Sequence, residues 1–216
     1  VRVAPSIIAA DFSQFQKELK KIERAGVDLL HLDIMDGVFV PNITFGPMVV
    51  EAIDSITDIE LDAHLMIVHP EKYLERFIEA GTDWISFHAE AVDDVDTCIM
   101  FIKNHNKKAG LVVSPETPFL SVAHHLDKLD FFLIMSVHPG FYGQKFIPEM
   151  LYKIEEAKSY IIKHRLQCLI QVDGGINSTN VKDIARAGAD IVVAGAGVFK
   201  SKNYKKAIKE LQCLKA

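Results

Sequence analysis

Cysteine, tryptophan and excess positive charge are all scarce in this chain. Its three cysteines (Cys98, Cys168, Cys213) are odd in number, far apart and without Cys-x-x-Cys spacing. That argues against a disulfide framework or a zinc knuckle and for reduced thiols in a cytoplasmic protein. The formal net charge is −5 and no basic stripe is present, so no nucleic-acid partner is expected. No apolar run reaches the roughly 18 residues of a membrane span, so no membrane partner is expected either. The one lysine-dense stretch, Lys200 to Lys209, reads as the solvated face of a last helix. The chain opens directly on a strand-like run, Val1 to Ile8, so no signal peptide is expected. Also missing is a Gly-x-Gly-x-x-Gly turn after that first run, the mark of a doubly wound dinucleotide-binding sheet.

What is present is a rhythm. Ala25-Gly-Val-Asp28, Ala80-Gly-Thr-Asp83 and Ala187-Gly-Ala-Asp190 each close a helical pattern and precede an apolar run. The glycine suits the left-handed residue after a helix C-terminus. The glycine spacings match two and four repeats of a unit of about 27 residues, and eight such units fill 216 residues. Eight short runs rich in Val, Ile, Leu or Phe agree: Val3–Ile8, Leu29–Ile34, Leu61–Met66, Trp84–His88, Ala109–Val113, Phe131–Ser136, Leu169–Asp173 and Ile191–Ala194. Such runs suit strands buried on both faces. Amphipathic stretches lie between them, as from Asp11/Ser13 to Ala25, with an N-cap candidate and Phe15, Leu19 and Ile22 on one face. The expected architecture is one (β/α)8 barrel domain over residues 1–216.

Four residues carry the chemistry. His31 and Asp33 in Leu30-His-Leu-Asp-Ile34, His64 in Leu61-Asp-Ala-His-Leu65 and Asp173 in Leu169-Ile-Gln-Val-Asp173 all fall at the C-terminal ends of apolar runs. In a barrel of this kind the catalytic residues sit there. Singly, such a histidine is a structural hydrogen-bonding group and such an aspartate a helix cap. Together they make a two-imidazole, two-carboxylate donor set for one first-row divalent cation: zinc, iron(II), manganese or cobalt, but not calcium. Asp173-Gly-Gly175 and Gly195-Ala-Gly197 follow strands 7 and 8, the usual place for a phosphate cradle. Pro139-Gly-Phe-Tyr-Gly-Gln144, after strand 6, has the glycines and exposed aromatics of a lid. Met35, Met66 and Met135, near the ends of strands 2, 3 and 6, would form a dry, polarisable wall over a reacting carbon.

Pro5-Ser-Ile-Ile-Ala-Ala-Asp11, His31-Leu-Asp-Ile-Met-Asp-Gly37, Phe39-Val-Pro-Asn42, His64-Leu-Met66, Ile134-Met-Ser136, Pro139-Gly-Phe141 and Val172-Asp-Gly-Gly175 occur in order along essentially the whole chain. In these segments the sequence resembles the ribulose-phosphate 3-epimerase family. The resemblance implies a metal-dependent barrel of the pentose phosphate pathway, inverting C3 of a phosphorylated ketopentose between D-ribulose 5-phosphate and D-xylulose 5-phosphate. It implies one divalent metal on His31, Asp33, His64 and Asp173, with Asp33 and Asp173 as the two acid/base groups acting through an enediolate held by the metal. It implies substrate contacts from Ser6, His64, Gly140, Phe141, Tyr142, Gly143, Asp173, Gly174, Gly175, Gly195 and Ala196, with Met35, Met66 and Met135 over the reacting carbon. A homo-oligomer is expected. Two carboxylates suit this reaction, because the proton leaves one face of C3 and returns on the other. The chain departs from the family pattern at His138 and Tyr142 in the lid, at Ala196 where serine is usual, and at Ser114 where asparagine is common. A sibling family acts on D-allulose 6-phosphate with the same machinery, and a non-catalytic sugar-phosphate-binding barrel would share the scaffold. Barrels using an Asp-x-Lys-x-x-Asp motif are disfavoured, since Asp33-Ile-Met-Asp36 has no lysine.

Overall fold

Short runs that are apolar on both faces can be buried only between two layers, and here they form the wall of a barrel. The computed structural model describes residues 1–212. Cys213 lies outside the described residues. The strands are β1 (Arg2–Ala4), β2 (Leu29–Met35), β3 (Glu60–Met66), β4 (Trp84–His88), β5 (Lys108–Val113), β6 (Phe131–Met135), β7 (Leu169–Asp173) and β8 (Ile191–Val193). They pair in parallel in the order β1-β8-β7-β6-β5-β4-β3-β2. A bridge between Ser6 and His31 brings the two ends together, with the His31 amide donating to the Pro5 carbonyl at 3.0 Å.

The helices are α1 (Phe15–Arg24), α2 (Pro47–Asp54), α3 (Leu74–Glu79), α4 (Val95–Asn104), α5 (Met150–His164), α6 (Val181–Ala187), α7 (Ala196–Phe199) and α8 (Tyr204–Leu211). They cover the outer faces of the strands, where Leu30, Leu32, Ile85, Phe87, Ile170 and Val172 are buried. Gly26, Gly81 and Gly188 follow α1, α3 and α6 with φ of 81°, 99° and 126°, the conformation expected of them. The aspartates after these glycines tie down neighbouring strands. Asp83 accepts from the Leu61 amide at 3.1 Å and Asp190 from the Ile170 amide at 3.0 Å.

Three expectations need correction. The first strand, expected over Val3–Ile8, ends at Ala4. Pro5 has no N–H for a ladder, and Ile7–Ala9 is a 3₁₀ turn. The unit between β5 and β6 has no α-helix. Pro115 and Pro118 interrupt it, and 3₁₀ turns at Phe119–Ser121 and Ala123–His125 make the crossing. The helix expected from Asp11 also begins later. Asp11 accepts from the Ser13 amide at the head of a 3₁₀ turn, and α1 starts at Phe15.

Inside the barrel, alternate residues stack in layers. Ala4, Leu29, Trp84, Phe131, Ile191 and Val193 close the lower end, with the Trp84 and Phe131 rings 5.1 Å apart. Gly110 makes room for this plug, because a Cβ there would lie 2.3 Å from the Phe131 ring. Polar residues come next. The β2–β3 register pairs His31 with Asp62, Asp33 with His64, and Met35 with Met66. Asp173 pairs with Met135. The ladder itself therefore sets a polar floor beneath a methionine rim.

Candidate active site

His31 Nε2 lies 3.4 Å from Asp33 Oδ1 and 3.8 Å from Asp173 Oδ2. His64 Nδ1 lies 3.4 Å and 3.9 Å from the same two atoms. One donor atom from each of the four residues falls within 4.8 Å of the others. His31 Nε2 and His64 Nδ1 are buried and have no hydrogen-bond partner in the protein. Uncompensated buried polar atoms are costly. Two imidazole nitrogens and two carboxylates aimed at one point suit a first-row divalent cation. The residues present therefore fit the metal that the sequence suggested.

The outward nitrogens of both imidazoles are held. His31 Nδ1 meets Asp62 Oδ2 at 2.8 Å, and Gln171 Nε2 donates to that same oxygen at 2.6 Å. All three side chains are fully buried. His64 Nε2 meets His88 Nε2 at 2.9 Å. Asp62, Gln171, His88 and Glu90 escaped the sequence reading. A signal for two of them was available. Asp62 and Gln171 precede His64 and Asp173 by two residues, so each shares its neighbour's face of the strand.

The two aspartates are driven apart. Burial opposes ionisation of Asp33, but the neighbouring His31 and His64 imidazoles outweigh it and hold Asp33 well below the usual carboxylate range. Asp173 is pushed up to about 7, first by burial and then by the negative charge of Asp33. Burial lowers His31, but Asp62 and Asp33 win and raise it. His64 falls to about 4, mainly through burial. Two carboxylates with opposed shifts are the pattern of an acid/base pair. Ser6, buried, donates its hydroxyl to Asp33 Oδ2 in a short hydrogen bond.

Above the cluster opens a cavity of about 230 Å³. Asp33 and Asp173 lie on its floor and Met35, Met66 and Met135 on its wall. His31 and His64 lie behind them, with no exposed surface. The Gly140–Gly143 segment lines the mouth, with Phe141 and Tyr142 more than half exposed. This segment is anchored at three points. Asn42 Nδ2 donates to the Gly140 carbonyl at 2.8 Å, and Gln144 Nε2 donates to the carbonyls of His138 and Phe141. The far side of the cavity holds Gly174, Gly175, Gly195 and Ala196. Among the described residues, the amides of Gly175, Ala196 and Gly197 donate to no protein acceptor. Gly175 has φ +65°, and a Cβ there would sit 2.2 Å from the Phe146 nitrogen. The backbone of the lid's far end thus packs directly on the turn after β7.

Comparison with known proteins agrees with this geometry. The model of the ribulose-phosphate 3 epimerase family matches residues 2–199. The chain is 46% identical over 213 residues to a ribulose-phosphate 3-epimerase of Bacillus subtilis, covering 98% of each chain. It is 48% identical over 208 residues to that of Synechocystis, covering 95% of this chain and 90% of the relative. Among solved structures, the 3-hexulose-6-phosphate synthase of Salmonella typhimurium superposes with a TM-score of 0.70 at 18% identity, covering 98% of this chain and 96% of that one. The orotidine 5'-phosphate decarboxylase of Pyrococcus horikoshii does so with 0.69 at 14%, covering 98% and 100%. At such identities these two show a shared barrel and nothing of the chemistry.

Proposed function

The chain belongs to the ribulose-phosphate 3-epimerase family, an isomerase family, and on that premise we propose that it interconverts D-ribulose 5-phosphate and D-xylulose 5-phosphate by proton transfer between two carboxylates. The observation that carries this reading is the convergence of Asp33 and Asp173 on the floor of one cavity. They stand at the ends of β2 and β7, with β1 and β8 between them. Asp33, ionised and steadied by the Ser6 hydroxyl, takes the C3 proton from one face. Asp173 returns one to the other face. The roles exchange for the reverse reaction, as microscopic reversibility requires.

His31, Asp33, His64 and Asp173 would hold one divalent cation. When bound, it supplies positive charge against the negative charge that develops on the sugar oxygens as the proton leaves. Met35, Met66 and Met135 exclude water from the reacting carbon, which protects a reactive intermediate from solvent. The free amides of Gly175, Ala196 and Gly197 receive the phosphate, with Gly174 and Gly195 giving the backbone room to approach. Phe141 and Tyr142, between Gly140 and Gly143, cover the substrate.

Among the described residues no helix is long and apolar enough to cross a membrane. Cys98 and Cys168 are buried free thiols, which supports our assignment to the reducing cytoplasm. Exposed Val38, Ile43 and Met48, in and just after the segment joining β2 to α2, support self-association through an apolar face. A coupled assay with D-ribulose 5-phosphate and D-allulose 6-phosphate side by side tests the substrate. A higher kcat/KM is expected for the five-carbon sugar, and a preference for the six-carbon sugar refutes the assignment.

A further inference from the structure

His88 ends β4, fully buried, and no step above uses it. Its ring lies end to end with that of His64, the two planes 20° apart and the centroids 5.1 Å apart, and meets Phe39 on another side at 4.7 Å. Its Nε2 is 2.9 Å from His64 Nε2 and its Nδ1 is 3.3 Å from Glu90 Oε2. Counting protons fixes the direction of this chain. A carboxylate only accepts, so Glu90 receives the Nδ1–H of His88. A neutral imidazole has one N–H, so His88 Nε2 is an acceptor and His64 Nε2 must donate to it. The single proton of His64 then sits on Nε2. Its Nδ1 is left bare, and Nδ1 is the atom that faces Asp33 and Asp173 without a protein partner. An Nε2–Nε2 contact of 2.9 Å needs one donor and one bare nitrogen, so the pair shares a single proton there. The His88, Thr117 and Ser114 hydrogen bonds overcome burial and hold Glu90 down at about 2.

We propose that Glu90 and His88 are positioning residues that lock His64 in its Nε2–H tautomer and so present a bare Nδ1 lone pair to the cation site. This rests on the reading of His64 as a metal ligand. The far end of the chain is itself fixed. Glu90 Oε1 accepts from the Ser114 amide at 2.9 Å and from the Thr117 hydroxyl. The Lys153 ammonium donates to the carbonyls of Ser114, Pro115 and Thr117 at 3.0, 2.9 and 2.7 Å, which pins that loop. His31 has its carboxylate in direct contact, whereas His64 reaches its own through a second imidazole.

The fixed end makes Glu90→Gln an informative substitution. The Ser114 amide still needs an acceptor, so the glutamine carbonyl takes the Oε1 place and its NH₂ faces His88. The chain then reverses. His88 Nδ1 accepts, His88 Nε2–H donates to His64 Nε2, and the His64 proton moves to Nδ1, where it competes with the metal.

The test uses the full chain, stripped of metal and labelled with ¹⁵N at histidine. NMR of the wild type is expected to show His64 protonated at Nε2 and bare at Nδ1, and Glu90→Gln to show the opposite. Zinc titration against a chromophoric chelator is expected to give roughly 10–100-fold weaker binding in Glu90→Gln, the usual effect of losing a partner behind a ligand. His88→Phe, which keeps a ring but removes the acceptor, should weaken zinc similarly. A stripped wild type carrying the His64 proton on Nδ1 overturns the proposal without any variant. So does a Glu90→Gln protein with unchanged tautomer and zinc affinity. A wild type with the expected tautomer that binds no zinc refutes the metal reading instead and leaves the tautomer lock standing.

Discussion

Asp62 offers a perturbation whose size can be worked from the structure. Both the His31 Nδ1–H and the Gln171 amide donate to one atom, Asp62 Oδ2, at 2.8 and 2.6 Å, in a region with no exposed surface. Asp62→Ala leaves two buried donors without an acceptor, at about 1–3 kcal/mol each, so roughly 2–6 kcal/mol is lost in all. Asp62→Asn behaves differently. Because both donors share one oxygen, the asparagine carbonyl can take them both, and only the charge is lost. That costs roughly 1–2 kcal/mol, the difference between charge-assisted and neutral bonds. A domain with about 5–15 kcal/mol of stability survives the asparagine change, and survives the alanine change except where the largest loss meets the smallest stability. Urea denaturation of metal-stripped protein reads these losses, and zinc competition against a chelator should show roughly 10–100-fold weaker binding for both variants. An alanine variant with zinc affinity and stability like the wild type would refute the reasoning. So would an asparagine variant as unstable as alanine, since asparagine keeps the shape and the acceptor, and the charge alone would then hold His31.

The remaining predictions concern the carboxylates, pH and the phosphate end. Asp33→Asn and Asp173→Asn should each abolish epimerisation, while the remaining base still exchanges one epimer's C3 proton with deuterium oxide; near-normal turnover in a variant that still holds metal contradicts the two-base assignment. In metal-stripped protein, Asp173 and His31 are both raised by folding, so their stabilising contributions are lost as pH rises, for Asp173 from about 4 to about 7 and for His31 from about 6.5 upward. His64, lowered to about 4, opposes this only below about 6.5, so the Tm of the stripped protein should fall from pH 6.5 to 8.5; a rise over that range contradicts the assignment. Ala196→Ser adds a hydroxyl beside the free amides after β8 and should lower KM by the worth of one hydrogen bond, about 0.5–1.5 kcal/mol, with kcat unchanged; a raised KM places the phosphate elsewhere.

The barrel was legible because each strand is a short apolar run and because three glycines needed positive φ after helices. Ladder pairing then does the rest, since a register that sets Asp33 beside His64 also sets His31 beside Asp62. What escaped was local chemistry that breaks the repeat. Pro5 cuts β1 short, and Pro115 and Pro118 replace a helix with 3₁₀ turns. The four principal site residues stood out because charged and imidazole groups rarely end buried strands. Asp62 and Gln171 did not, because a polar residue inside a strand declares its direction only once its neighbours are known. Glu90 was harder still. It lies past the end of β4 and joins the site only through His88 and the loop that Lys153 pins. Gly195 is a less direct probe of the phosphate end. A Cβ there would lie 3.2 Å from the Ala9 Cβ, so a bulky side chain would meet the β1 loop as well as any ligand, and Ala196 is the cleaner probe.

The central claim is proton transfer at C3 of ribulose 5-phosphate by two carboxylates, and turnover in deuterium oxide tests it most directly. Enzyme reloaded with a divalent metal, given D-ribulose 5-phosphate in deuterium oxide, should release D-xylulose 5-phosphate carrying one solvent deuterium at C3 and none elsewhere, with the rate lost on chelation. Product that keeps the substrate's own hydrogen at C3, or full turnover by metal-free protein, would contradict the account.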